Sequence, residues 1–125
     1  MSAGSELKVD IPGMLKKTTR LAKTSAVVAA LKAGRGFFYS EFNVRFLPKS
    51  QGEPKLTVVV STKVDKRAVK RNRLKRIIRE FVRLNLGFLA LGDYVIMLKP
   101  LAAKSEDKKL LLNLEQNLRK WRLLK

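Results

Sequence analysis

Hydrophobic and polar positions change period several times along the chain, and each change marks an element. Residues 1–19 hold no sustained period. With Pro12-Gly13 and the Lys16-Lys17 pair they read as a flexible basic N-terminal arm. Between Arg20-Leu21 and Gly34, Val27, Ala30 and Leu31 fall on one helical face. Thr24 or Ser25 is the expected cap of that helix and Gly34 its stop. From Gly36 the period shortens to two. Phe38, Phe42, Val44 and Phe46 alternate with Tyr39, Glu41, Asn43 and Arg45, which predicts one strand with one buried face. The polar run Pro48–Pro54 is the expected hairpin loop. The following strand, Lys55 to Ser61, carries Leu56, Thr57, Val58, Val59 and Val60. It is expected to pair antiparallel with the first strand and to lie centrally in the sheet.

Helical period returns in the stretch 63–83, where ten of 21 residues are Lys or Arg and two are acidic. Read from Arg73 at 100° per residue, Leu74, Ile77, Ile78, Phe81 and Val82 form one arc, and Arg73, Lys75, Arg76, Arg79 and Arg83 the other. One face suits a core and the other an anionic partner. Asp65 is the expected N-cap and Gly87 the expected stop. Asp93-Tyr94-Val95-Ile96-Met97-Leu98-Lys99 is the third strand, ended by Pro100. Strand, helix, strand in this order is a crossover, so the flanking strands should run parallel. Ser105 is the expected cap of a final helix reaching about Trp121, with Leu110, Leu111, Leu114, Leu118 and Trp121 on its apolar side. Trp121 continues the leucine face, which places it against the sheet. The order α-β-β-α-β-α predicts an α+β fold: a compact single-domain α/β sandwich over residues 20–125, its small mixed sheet packed by helices.

Charge changes the picture from fold to partner. The 125 residues carry 28 Lys plus Arg against 10 Asp plus Glu, a formal charge of +18 and a pI near 10.8. That excess suits a phosphate backbone or an anionic membrane. No apolar run approaches the ~20 residues a bilayer span needs, and residues 1–17 hold no apolar stretch of signal-peptide length. A cytoplasmic location and no membrane partner are therefore expected. The chain has neither cysteine nor histidine, which excludes thiolate zinc sites, disulfides, Cys nucleophiles, Ser-His-Asp triads and imidazole acid–base chemistry. The acids are scattered. Glu106-Asp107, the one adjacent pair, suits a helix N-terminus, and no catalytic constellation stands out.

Arginine on a helix presents rigid forks for phosphate, and lysine adaptable point charges. Asn72, between Arg71 and Arg73, offers both a donor and an acceptor. Such a helix suits a DNA major groove, or the shape and backbone of an A-form RNA helix. Composition does not choose between them.

The run Arg71-Asn72-Arg73-Leu74-Lys75-Arg76, after Val60-Ser61-Thr62-Lys63 at a strand end, resembles the RNR signature of the bacterial ribonuclease P protein subunit. Arg20-Leu21, Gly34, the strands, Asp93-Tyr94-Val95-Ile96 and Pro100 follow the family's order, so the resemblance covers roughly residues 20–122. It implies a ribosomal-protein-like fold whose βαβ crossover is left-handed, an exception to the usual hand. It further implies a noncatalytic partner of a large Mg²⁺-dependent ribozyme, acting together as an endoribonuclease that removes the 5′ leader of precursor tRNA. The isolated protein is then expected to be inactive, with Mg²⁺ bound mainly by the RNA.

The implied partners are the catalytic RNA and precursor tRNA, with no stable protein partner. Contact with the ribozyme falls on Arg71, Asn72, Arg73, Lys75 and Arg76, supported by Lys63, Arg67, Lys70 and Arg79. A second family site, a cleft for the single-stranded leader, maps to Val27, Leu31, Arg45 and Val59. Positions the family usually or often fills with aromatics are here Val27, Leu31 and Arg45, and Thr62-Lys63 replaces the usual Lys-Lys. The cleft is thus expected to rely on Arg45 and shape, with Phe37 or Tyr39 as compensating rings. The alternative function is that of a structural RNA-binding protein such as a ribosomal component. A helix-turn-helix DNA binder is disfavoured by the valine-rich strand before the basic helix, and a protein-only nuclease by the scattered acids.

Overall fold

The structure is a computed structural model that describes residues 24–125. The arm 1–19 and Arg20-Leu21 lie outside the described residues. The elements are α1 (Thr24–Ala33), β1 (Arg35–Phe38), β2 (Phe42–Pro48), β3 (Lys55–Val59), α2 (Ala68–Leu84), a 3-10 turn (Leu86–Phe88), β4 (Gly92–Leu98), α3 (Pro100–Lys104) and α4 (Asp107–Lys120). No helix among the described residues is long and apolar enough to cross a membrane.

The mixed sheet has the order β1-β2-β4-β3. β2 runs antiparallel to β4, and β3 runs parallel to it, as the crossover through α2 requires. This corrects two expectations. The loop 49–54 joins β2 to β3, yet the two do not pair, because β4 enters between them. The interior strands are β2 and β4, and β3 is an edge. The reason is burial. β4 is apolar on both faces, with Tyr94, Ile96 and Leu98 facing one layer and Val95 the other. β3 leaves Val59 40% exposed.

A third correction concerns residues 36–46, which form a hairpin and not one strand. The Tyr39 N–H donates to the Phe42 carbonyl at 2.9 Å, and the chain reverses across Tyr39-Ser40-Glu41. Phe37 lies opposite Val44 and Phe38 opposite Asn43. Phe38 therefore belongs to the face opposite that of Phe42, Val44 and Phe46. Lacking Gly, Pro, Asn or Asp, the turn carries only Ser40, a weak turn signal.

One side of the sheet carries the main core. Leu74, Ile78 and Val82 of α2, with Leu110, Leu114 and Leu118 of α4, pack on Phe42, Val44, Phe46, Leu56, Val58, Tyr94 and Ile96. Ile77 and Phe81 flank them half-buried, so the apolar arc of α2 is the one its period predicts. Trp121 stacks on Phe37 with centroids 5.2 Å apart and meets Phe42 edge-on, against the sheet as expected. On the other side α1 seats the fully buried Ala30 on Val95, among Ala26, Val27, Leu47 and Met97.

Helix ends differ from their expected caps. Ser25 lies inside α1, which is described from Thr24 onward, whereas Gly34 ends the helix by donating to Ala30 O at 2.9 Å. A Cβ on Gly34 would come within 2.3 Å of that carbonyl and 3.1 Å of Phe46 O, so the turn from α1 into β1 admits no side chain. α2 stops at Asn85, whose backbone and side-chain N–H groups take Val82 O and Phe81 O, and Gly87 falls in the following 3-10 turn. Pro100 ends β4 by opening α3, a short helix the pattern did not announce. Ser105 does not cap α4. Glu106 holds that position, and the Ser105 hydroxyl donates to the buried Glu41 carboxylate, which Asn113 also meets at 2.7 Å. A buried carboxylate demands such partners.

Candidate nucleic-acid interface

The link from β3 to α2 presents the basic helix. Val60 and Val64 are buried and pin both ends of the turn Ser61-Thr62-Lys63, and Val64 N–H closes it on Ser61 O at 3.0 Å. Asp65 is not the helix cap, since Arg67 occupies that position in extended conformation. Asp65 works one step earlier. Its carboxylate accepts the Arg67 N–H at 2.9 Å and the Arg67 guanidinium at 3.0 and 2.9 Å. Those side-chain and backbone hydrogen bonds hold its pKa at about 2, with Arg67 and Lys70 adding charge attraction. Arg67 is raised in turn, first by its hydrogen bond to Asp65.

The expected ribozyme-contact residues come together on α2 and the preceding loop, in two classes. Lys63, Arg67, Asn72, Arg73 and Arg76 are exposed, while Lys70, Arg71, Lys75 and Arg79 are half-buried. Arg71 turns back on its own chain and donates to Asp65 O at 3.0 Å and Lys66 O at 2.8 Å. It therefore fixes the loop that carries Arg67 and Lys63. Arg73 pairs with Asp107 in the first turn of α4, where Asp107 also suits the helix dipole. Lys70, Arg73 and Lys108 line an open groove of about 600 Å³ between α2 and the start of α4. Asn72 and Arg76 face outward. The sequence pattern did not reveal that two of the signature residues have partners within the protein, because those partners are loop carbonyls and an acid 34 positions away.

The expected leader-cleft residues share the α1 side of the sheet. Arg45 pairs in register with Gly36 and Val95, and Val95 with Thr57. One step along, Phe38, Asn43, Met97 and Val59 form the next cross-strand row. Val27 packs half-buried near Val95, and Leu31 on the same helix is 38% exposed. Neither expected compensating ring is here. Phe37 is on the opposite face under Trp121, and Tyr39 sits at the turn beside Phe42. The ring on this face is Phe38, 63% exposed, with the Arg45 guanidinium carbon 5.8 Å from its centroid. An uninterrupted period of two puts Phe38 in the core, and the turn at 39–41 puts it on this face instead.

The acids are largely engaged within the protein. Besides the pairs of Asp65 and Asp107, Asp93 meets Lys49 at 3.4 Å, Glu80 meets Arg83 at 2.6 Å and Glu115 meets Arg119 at 2.9 Å. Among the described residues no three His, Cys, Asp or Glu side chains converge as a metal cage. The basic face has the charge to bind and orient an anion.

Comparison with known proteins bears on the family and the fold. The family profile described as Ribonuclease P matches residues 15–122. The ribonuclease P protein component of Xylella fastidiosa (strain Temecula1) is 37% identical over 86 residues, covering 69% of this chain and 63% of that protein. The one from Xanthomonas oryzae pv. oryzae is 52% identical over 54 residues, 43% of this chain and 37% of that protein. The chain thus matches less than two thirds of the length of either relative. The fold is similar to that of the Staphylococcus aureus RNase P protein, with a TM-score of 0.80 at 23% identity over 87% of this chain and 100% of the other. The Thermotoga maritima RNase P protein gives 0.72 at 25% identity, over 81% and 96%. With the profile running from before α1 to just past the end of α4, and the same fold beneath it, this chain belongs to the ribonuclease P protein family.

Proposed function

We propose that the protein is the RNA-binding subunit of ribonuclease P. In this reading α2 and the loop 63–67 hold the catalytic RNA, and the open sheet face beside α1 takes the single-stranded 5′ leader of precursor tRNA. The RNA, with its Mg²⁺, hydrolyses the phosphodiester that releases the leader. The observation that carries the reading is the division of labour on α2. Leu74, Ile78 and Val82 are buried in the core while Asn72 and Arg76 project outward beside the exposed Lys63 and Arg67. A helix anchored this way presents cations at fixed spacing, as recognition of a folded RNA backbone requires. The positive N-terminal end of the 17-residue helix reinforces that field. The protein's part is to neutralise phosphates and align two RNAs. No proton transfer is assigned to its side chains.

The test is cleavage of a leader-bearing precursor tRNA by a bacterial ribonuclease P RNA at low Mg²⁺, with and without the protein. Stimulation is expected. The double variant Lys63→Ala/Arg76→Ala should weaken the protein–RNA interaction by about tenfold or more. These exposed positions are better probes than Arg71 and Arg73, whose loss also breaks contacts inside the protein. Tight, salt-sensitive binding without stimulation would instead indicate a structural RNA-binding protein.

A further inference from the structure

On the α1 side of the sheet, an exposed aromatic ring and a guanidinium lie together over a residue with no side chain. A Cβ on Gly36 would stand 2.9 Å from the Phe38 ring tip and 3.1 Å from the Arg45 Nη1. Both side chains therefore lean across the space that glycine leaves open. Arg45 covers one face of the ring at 5.8 Å, within the range of a cation–π contact. With 63% of Phe38 exposed, the ring buries little of itself against the protein. The row continues through Asn43 and Met97 to Val59, which is 40% exposed. Three strand spacings of ~4.8 Å make this a track roughly 14 Å wide, apolar at Phe38, Met97 and Val59 and polar at Asn43, and bordered by α1.

An exposed ring on such a track, backed by a cation, in a protein of charge +18, has the elements of a single-strand binding platform. Stacking uses the π-face every base possesses, and the guanidinium meets the adjoining phosphate. We propose that Phe38 is the base-stacking residue of this protein, holding one leader nucleotide against its ring with Arg45 as the cationic backing. The inference rests on the leader-binding reading above and adds a residue to it. The aromatic contact comes from β1, in place of the α1 and β2 positions occupied here by Val27, Leu31 and Arg45.

The experiment uses the complex of the protein with ribonuclease P RNA and measures the ratio of affinities for precursor tRNA and leaderless tRNA. For Phe38→Ala the ratio should fall about fivefold to 100-fold, the range a stacked base commands. Phe38→Tyr should preserve it, and Phe38→Leu should not. Gly36→Ala, whose new methyl displaces only the tips of two flexible side chains, should lower the ratio in the same direction. A precursor with one abasic leader nucleotide, scanned along the leader, should show a position that costs the parent protein affinity but costs Phe38→Ala nothing further.

If Phe38→Leu binds as well as the parent, or no abasic position loses its effect in Phe38→Ala, the stacking role is overturned and the leader-binding reading stands. If the parent protein itself gives a ratio near one, leader binding fails and the stacking assignment falls with it.

Discussion

Arg71 and Arg67 illustrate how residues of one charge acquire different roles from their immediate surroundings. Arg71 is spent on two loop carbonyls and shapes the approach to α2, while Arg67, exposed at the N-cap, is bound to Asp65. An RNA phosphate at Arg67 must compete with that carboxylate. The pairing has a measurable consequence. Because the folded Asp65 carboxyl lies at about 2, against ~3.9 for an unperturbed aspartate, its stabilising contribution is present above the unfolded value. That contribution is lost as pH falls through the folded one. An NMR titration of the Asp65 carboxyl should find the midpoint near 2, and Arg67→Ala should return it toward the ordinary value. A midpoint near 4 in the parent protein would mean that the Arg67 fork does not persist in solution.

Among the elements, α4 ends in a motif that makes a clear demand on its sequence. Leu123 N–H reaches back to Leu118 O at 2.8 Å and Arg122 N–H to Arg119 O at 3.0 Å, the bond pattern of a Schellman ending. Arg122 has φ 63, the left-handed conformation that glycine adopts without cost. Leu118 and Leu123 are both buried and complete the motif's apolar contact. The following residues then lie along the 3-10 turn region, with Ala90 N–H on Leu123 O at 2.8 Å and Lys125 N–H on Phe88 O at 2.9 Å. Replacing Arg122 by Gly should raise stability by about 1 kcal/mol, since removing the Cβ relieves a penalty of roughly 1–2 kcal/mol. The gain in glycine's unfolded-state entropy offsets part of it. Thermal unfolding would register this as a rise of a few degrees, and a fall would show that the arginine side chain contributes more than its backbone costs.

Across the whole molecule, the charge of +18 predicts how binding responds to salt. Each phosphate contact should contribute about −0.7 to −0.9 to the slope of log K against log salt. Removing Lys63 and Arg76 together should make the slope shallower by roughly two. Titrating RNA affinity at several salt concentrations tests this, and an unchanged slope would place the RNA on another face. The two proposed faces are separate surfaces of the sheet: α2 packs on the face of Val44 and Ile96, whereas Phe38 and Arg45 share the face of Val95. Variants on the two faces are therefore expected to impair the proposed ribozyme contact and the proposed leader contact independently.

Local pattern was enough for what depends on neighbours along the chain. The amphipathic period of α2 placed Leu74, Ile78 and Val82 in the core and Arg73 and Arg76 outside. The leucine face of α4 placed Trp121 on the sheet, and the order of elements required β3 and β4 to run parallel. The absence of cysteine and histidine, with scattered acids, left binding as the readable chemistry, and the signature run marks where that binding is proposed. Three features lay beyond the local pattern. β4 displaced β3 from the centre because a strand apolar on both faces is stabilised most where both faces are covered. The partners of Arg71 and Arg73 arise from a turn and from a helix start 34 residues away. The reversal at Tyr39-Ser40-Glu41 carries only Ser40 as a weak turn signal, and it moves Phe38 from the expected core to the open face. A period-two pattern states which residues share a side only while the strand continues, so tertiary structure alone decided that this ring faces solvent.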